Sequence, residues 1–179
     1  MAFTVPTDPV HAAVLVPLFL AAEADGPHVV LTRRRGDLRR HAGEISFPGG
    51  RQDPEDADLK DTALREAEEE IGLLRDDVSL LGELPATSTF VTNYLIHPFV
   101  GRIEAGLRWQ PSPREVDAVL ELPLHALAAS KTRTLMKRRG FVFETDAYIL
   151  DEQLIWGATA RILDHLLERL DSLLPASWL

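Results

Sequence analysis

The amino-acid sequence predicts a mixed α/β fold, of the α+β kind, in which a central mixed sheet is flanked by helices. Three observations predict it. Segments patterned as strands outnumber those patterned as helices, the two kinds do not alternate strictly, and two stretches carry apolar residues at helical spacing.

Taken in order, Val14–Leu20 and His28–Arg33 read as strands, separated by a turn at Ala24-Asp25-Gly26-Pro27. Phe47-Pro48-Gly49-Gly50 is a strong breaker, and Asp53-Pro54 continues that loop. A helix is expected from about Ala57 to Ile71, with Asp56 or Asp58 as its N-cap and Gly72 as the left-handed residue that ends it. Val78–Leu84 and Tyr94–Ile103 read as strands, and a polar, proline-rich loop spans roughly Arg108–Arg114. Leu122–Ala129 reads as a short helix, and Arg133–Lys137 with Phe141–Leu150 as a hairpin turning at Arg139-Gly140. A final helix is expected over Leu154–Leu174, because Ile155, Ala158, Ile162, Leu166 and Leu170 recur at its period.

With 179 residues and no linker or repeat, the chain is expected to form one domain, residues 1–179, large enough for a core without covalent staples. It has no cysteine, which excludes disulfides, thiolate metal sites and a cysteine nucleophile. The apolar stretch Ala12–Ala22 is too short to span a bilayer and has no basic residue before it, so a cytoplasmic protein with no membrane partner is expected. A net charge of −9 argues against nucleic-acid binding. The charge is uneven, however. Arg33, Arg34, Arg35, Arg39 and Arg40 crowd together beside His41, Lys131, Arg133, Lys137, Arg138 and Arg139 form a second basic group, and acids fill Asp53–Glu70. Arginine clusters on an acidic protein suit a small anionic ligand better than a polymer.

The run Arg65-Glu66-Ala67-Glu68-Glu69-Glu70-Ile71-Gly72-Leu73 carries the functional reading. At about 100° per residue, Leu64, Ala67 and Ile71 share an arc of about 60°, and Glu66, Glu69 and Glu70 an opposing arc of about 100°. One face packs and the other gathers three carboxylates. On an exposed helix such like charges oppose each other by roughly 0.2–0.5 kcal/mol per pair, and a solvated acidic face is the ordinary explanation. A hard cation such as Mg²⁺, which takes oxygen ligands and is often shared with substrate phosphates, would give the cluster a purpose. Glu66 and Glu70, one turn apart, are then the primary ligand candidates. Glu69 is an additional ligand, and a carbonyl of Gly49 or Gly50 in the tight turn completes the oxygen shell. Arg65 stands four residues before Glu69 and is placed to orient it.

These residues resemble the Nudix box. Its C-terminal half matches at every defined position; in the N-terminal half the usual glutamate is Asp56, and the gap to the arginine is one residue longer than usual. The preceding segment resembles the signature of the coenzyme A pyrophosphatase branch: Leu31-Thr32, Arg34, Leu38-Arg39, His41, Gly43, Ile45 and Phe47-Pro48-Gly49-Gly50, with Arg35 in place of a small residue and Glu44 in place of glutamine. Thr62-Ala63-Leu64 and Trp156-Gly157-Ala158-Thr159-Ala160 fit the same branch, and the likeness spans roughly residues 11–170. It implies an α/β/α sandwich and Mg²⁺- or Mn²⁺-dependent hydrolysis of coenzyme A to 4′-phosphopantetheine and 3′,5′-ADP.

The catalytic candidates are therefore Glu66, Glu69, Glu70 and, as a loop acid able to serve as general base, Glu115; a helix glutamate is the alternative base. Arg34, Arg39, His41 and Gly49 are the candidate substrate-binding residues, since arginine can hold a phosphate with two parallel hydrogen bonds. Glu66, Glu70, Glu69 and Gly50 are the candidate metal ligands. Trp156 faces either the pocket or the core, and Phe90 and Tyr94 are candidates to face an adenine or the pantetheine arm. The expected partner is a small nucleotide, in a monomer or homodimer. The competing readings are a Nudix hydrolase of another nucleoside diphosphate such as ADP-ribose, and a non-catalytic ligand-sensing domain. The Leu31–Gly50 segment disfavours the first and the intact glutamate set the second.

Overall fold

The computed structural model describes residues 8–21, 26–37, 43–89, 93–138 and 140–172. Strand β1 (Val10–Leu20) runs through the middle of a mixed sheet. It pairs antiparallel with β2 (Pro27–Arg34) and with the short β4 (Gly49–Arg51), and parallel with β7 (Tyr94–Arg102). The short β3 (Ile45–Ser46) and β8 (Val116–Pro123) both pair with β2, while β5 (Ser79–Glu83) and β6 (Thr87–Ser88) pair with β7. A second, antiparallel sheet has the order β11-β10-β9, built from β9 (Lys131–Arg138), β10 (Phe141–Leu150) and β11 (Gln153–Trp156). The helices are α1 (Leu59–Ile71), α2 (Leu124–Ala129) and α3 (Gly157–Asp171).

Both faces of the central sheet are covered, which is why residues 12–20 of β1 and 29–31 of β2 are continuously apolar instead of alternating. On one face Ala13, Leu15 and Val30 pack against Ala63, Ala67 and Ile71 of α1. On the other, Val16, Val29 and Leu31 pack with Leu127 of α2, Ile162, Leu163 and Leu166 of α3, and Tyr148 and Ile155 of the second sheet. This is the mixed-sheet α+β architecture the sequence predicts. Helix α1 thereby lies flat on the sheet, with Glu69 of its acidic side exposed, Glu66 half-buried and Glu70 buried.

Several elements differ from the sequence reading. Helix α1 begins two residues later than expected and Asp58, not Asp56, caps it, accepting from the Asp61 amide at 2.9 Å. Gly72 closes it in the left-handed region (φ 71°), its amide donating to the Glu68 carbonyl. The helix expected over Leu122–Ala129 is confined to Leu124–Ala129; Leu122 and Pro123 end a strand, Val116–Pro123, whose earlier residues have no assignment from sequence alone. The last helix starts at Gly157, and Gln153–Trp156 forms β11. There the chain reverses through Asp151 and Glu152, both at positive φ (47° and 65°), in a two-residue hairpin that lacks the usual Asn-Gly signal. Ile155 thus sits on a strand. The far end of the helix reading, Leu174, and the turn residues Ala24, Asp25 and Arg139 lie outside the described residues.

Candidate active site

The site is assembled where α1 crosses β4. Gly50 lies against Glu66 so closely that a Cβ there would meet the Glu66 Cδ at 2.6 Å, and a Cβ on Gly49 would meet the Val14 Cα at 2.6 Å. The two glycines therefore let β4 pair with β1 while leaving room for the glutamate. The Gly49 amide donates to the Glu70 carboxylate.

The three helix glutamates occupy different environments. Glu69 is exposed, Glu66 half-buried, and Glu70 buried at 4% exposure. Arg65 draws the first two together: its Nη1 donates to Glu66 Oε1 at 3.0 Å and to Glu69 Oε2 at 3.3 Å. The expected Arg65–Glu69 pair is present, but Arg65 is committed more heavily to Asp56. Its Nε and Nη2 donate to the two Asp56 oxygens at 2.8 and 3.0 Å. The Thr62 hydroxyl and the Asp53 amide also donate to Asp56, each at 2.8 Å. These partners, Arg65 first, hold the Asp56 carboxyl far below the usual carboxylate range. The sequence offers Asp56 as an alternative helix cap; the structure instead makes it the anchor of the arginine that sets the glutamates. The signal for it was its place in the box, where an acid is expected.

Glu70 is the opposite case. Burial, above all, pushes its carboxyl up to about 8, with Glu66 and Glu115 adding to the effect and Arg34 opposing it. Glu66 is raised too, by burial first, with Arg65 opposing and Glu69 and Glu115 adding. Arg34 Nη1 stands 3.7 Å from Glu70 Oε1, beyond hydrogen-bond reach, and Arg34 Nε is buried with no hydrogen-bond partner among the described residues. A buried guanidinium N–H without an acceptor among the described residues is a donor suited to an anionic oxygen.

Glu115 is exposed at the end of the loop that enters β8 and lies close enough to influence both Glu66 and Glu70. The loop docks on the last turn of α1, with the Ser112 amide donating to the Glu70 carbonyl (2.8 Å) and the Gln110 amide to the Ile71 carbonyl (2.9 Å). The structure thus brings together Glu66, Glu69, Glu70, Glu115, Arg34, Gly49 and Gly50. Arg39, His41 and Phe90 lie outside the described residues. Trp156 is half-buried, paired with Ala147 and set against the Phe143 ring at 6.3 Å.

These side chains suit a divalent cation on one observation: Glu66 and Glu115 place negative charge around the buried Glu70 carboxylate, and among the described residues Arg34 opposes it only from 3.7 Å. All donors are hard oxygens, as Mg²⁺ and Mn²⁺ prefer. Among the described residues no three acidic or imidazole side chains are gathered closely enough to hold a metal ion by themselves.

The NUDIX domain model matches residues 9–142. The chain is 40% identical to an uncharacterized Nudix hydrolase, NudL, of Yersinia pestis, over 89% of this chain and 79% of that protein. Among solved structures, the Nudix hydrolase RenU of M. smegmatis superposes with a TM-score of 0.66 at 15% identity, covering 93% of this chain and 89% of that one. The NUDIX domain of Shewanella oneidensis NrtR, solved with ADP ribose, superposes with a TM-score of 0.59 at 15% identity, covering 92% and 90%. The last two likenesses are likenesses of fold. No helix among the described residues is long and apolar enough to cross a membrane.

Proposed function

The chain belongs to the Nudix family of hydrolases, and on that premise we propose that it cleaves the pyrophosphate bond of coenzyme A, yielding 4′-phosphopantetheine and 3′,5′-ADP. The observation that carries the hydrolytic site is the contrast within it: Glu70 is buried and short of positive charge, and Arg34 beside it has an unclaimed buried N–H. The choice of coenzyme A rests on the segment from Leu31 to Gly50. Part of that segment is core: Leu31, Ile45 and Phe47 are buried. Arg34 is the part that reaches the site.

Glu66, Glu70, Glu69 and the Gly50 carbonyl would hold Mg²⁺ or Mn²⁺. The bound ion would supply neutralisation of the pyrophosphate oxygens and a lowered pKa for water. Arg34 offers its Nε and Nη atoms to a phosphate oxygen. Arg65, fixed by Asp56, holds Glu66 and Glu69 in place before substrate arrives, so their alignment costs little at the moment of reaction. Glu115 accepts a proton from the attacking water. One P–O bond forms to the water oxygen while the bridging P–O bond breaks, its electron pair leaving on the departing phosphate.

The test is to incubate the protein with coenzyme A, ADP-ribose and diadenosine compounds, with Mg²⁺ or Mn²⁺, and to identify products by mass. Coenzyme A is expected to be cleaved fastest, between its two phosphates. Rapid cleavage of ADP-ribose with coenzyme A untouched would overturn the substrate and leave the hydrolytic site standing.

A further inference from the structure

Arg35 is the residue at which this chain departs from the small side chain usual at its place in the signature, and its contacts are unlike those of its neighbours. Arg33 pairs with Asp117 of β8 at 2.9 Å and Arg34 faces Glu70. Arg35 reaches the loop that carries Glu115. Its backbone N–H donates to the Glu115 carbonyl at 3.0 Å, and its Nη1 donates to the Pro113 carbonyl at 2.5 Å. The same guanidinium is held from behind by Asp37, with Nε to Oδ1 at 2.8 Å and Nη2 to Oδ2 at 2.7 Å. The register between β2 and β8 shifts between Arg33 and Arg34, an irregularity of the kind that re-aims side chains beside a site.

We propose that Arg35 is a positioning residue for the hydrolysis: by tying the Pro113–Glu115 segment to the end of β2, it sets where the Glu115 carboxylate stands over the acidic face of α1. The inference rests on the assignment of Glu115 as proton acceptor. The loop needs such a tie. Pro111 and Pro113 have no N–H to donate, so the segment has few backbone bonds of its own. At its entry it is fixed to α1 by the Ser112 amide on the Glu70 carbonyl. At its exit the Glu115 and Val116 amides both turn back to the Ser112 carbonyl, at 3.1 and 2.9 Å. Between these points the Pro113 carbonyl is claimed by Arg35. Asp37 pre-orients the guanidinium so that Nη1 is presented to that carbonyl, a task a small side chain cannot perform.

The experiment is a double-mutant cycle on the full chain with coenzyme A as substrate, made from Arg35→Ala, Glu115→Gln and the pair. A carboxylate shifted by about 1 Å loses up to about 100-fold in rate. We expect Arg35→Ala to lower kcat about tenfold with KM within about twofold, and Arg35→Lys, which keeps one donor, to recover part of the loss. In the Glu115→Gln background Arg35→Ala should do nothing further. The same tenfold loss in both backgrounds would mean that Arg35 acts elsewhere, and would overturn the proposal. Slow Glu115→Gln with undiminished Arg35→Ala would overturn the tether alone; full turnover in Glu115→Gln would overturn the base and the tether together. Should Arg35→Ala fail to fold, Asp37→Ala, which removes both acceptors that hold the guanidinium, at an exposed position, carries the same cycle: a loss in kcat that vanishes in the Glu115→Gln background supports the tether, and an equal loss in both backgrounds overturns it.

Discussion

Two carboxylates at opposite ends of α1 have side chains almost equally hidden from solvent, one in a part-buried loop residue and one in the buried last turn, and they live in opposite environments. Asp56, in the loop that leads into the helix, has 3% of its side chain exposed; Glu70, in the last turn, has 5%. Asp56 accepts from Arg65, Thr62 and the Asp53 amide and is held strongly ionised. Glu70 has the Gly49 amide and a distant Arg34, and its carboxyl is pushed up to about 8. Burial alone therefore says nothing about purpose. A buried acid whose oxygens all accept from neighbouring groups is held as scaffold, whereas one short of positive charge among the described residues is, on the proposed function, where a cation binds.

The sharpest way to break this contrast is to neutralise each end. Glu70→Gln or Glu66→Gln is expected to lower kcat by roughly 10³-fold, since a lost cation ligand removes several kcal/mol of transition-state stabilisation. Melting of either variant without added metal should stay close to wild type at pH 5.5. Near-normal turnover at saturating Mg²⁺ would remove that glutamate from the ligand set. Asp56→Ala should behave the other way round. It strands Arg65 beside Glu66 and Glu69, partners that remain, so the cost is about 2–3 kcal/mol, below the usual range for breaking a buried pair. That corresponds to roughly 6–10 °C in melting temperature for a chain of this size. Turnover should fall only about tenfold, through a loosened Arg65. If calorimetry instead found Asp56→Ala as stable as wild type, Asp56 would not be the anchor.

The two ends were unequally legible in the sequence, for physical reasons. The carboxylate face of α1 follows from helical spacing, because Leu64, Ala67 and Ile71 fix which side is buried and so which side carries Glu66, Glu69 and Glu70. The sheet flanked by helices follows from the apolar strands Val10–Leu20 and Pro27–Arg34. Strand β11 was hidden because its hairpin turn is made by Asp151 and Glu152 at positive φ, with no glycine to announce it. Ile155 also happens to continue the helical period backwards. Strand β8 was hidden because its last residues run straight into α2 without a breaker other than Pro123. The Arg35 tether was illegible in principle: it joins residues 78 positions apart, and no local pattern reports such a contact.

The smallest expected effect tests the electrostatic half of the contrast directly. In the folded, metal-free protein Glu70 releases its proton near pH 8, whereas in the unfolded chain it does so near its ordinary value of 4.5. Between those values the folded state holds a proton that the unfolded state has lost, so stability falls as pH rises through this window. Asp56, shifted downward, contributes stability that is lost only in acid, below its ordinary value of 3.8, and is silent here. Wild type without metal should therefore melt about 5 °C lower at pH 8 than at pH 5.5, after allowing for partial relaxation around the charge. The chain's six histidines titrate in the same range, so the informative quantity is the difference from Glu70→Gln, which keeps every histidine and removes only the glutamate's proton. Mg²⁺ at pH 8 should raise the melting temperature of wild type and leave that of Glu70→Gln nearly unmoved. Parallel pH profiles for the two proteins would mean that Glu70 is no more strained than Asp56, and the distinction between anchor and ligand site would have to be drawn on geometry alone.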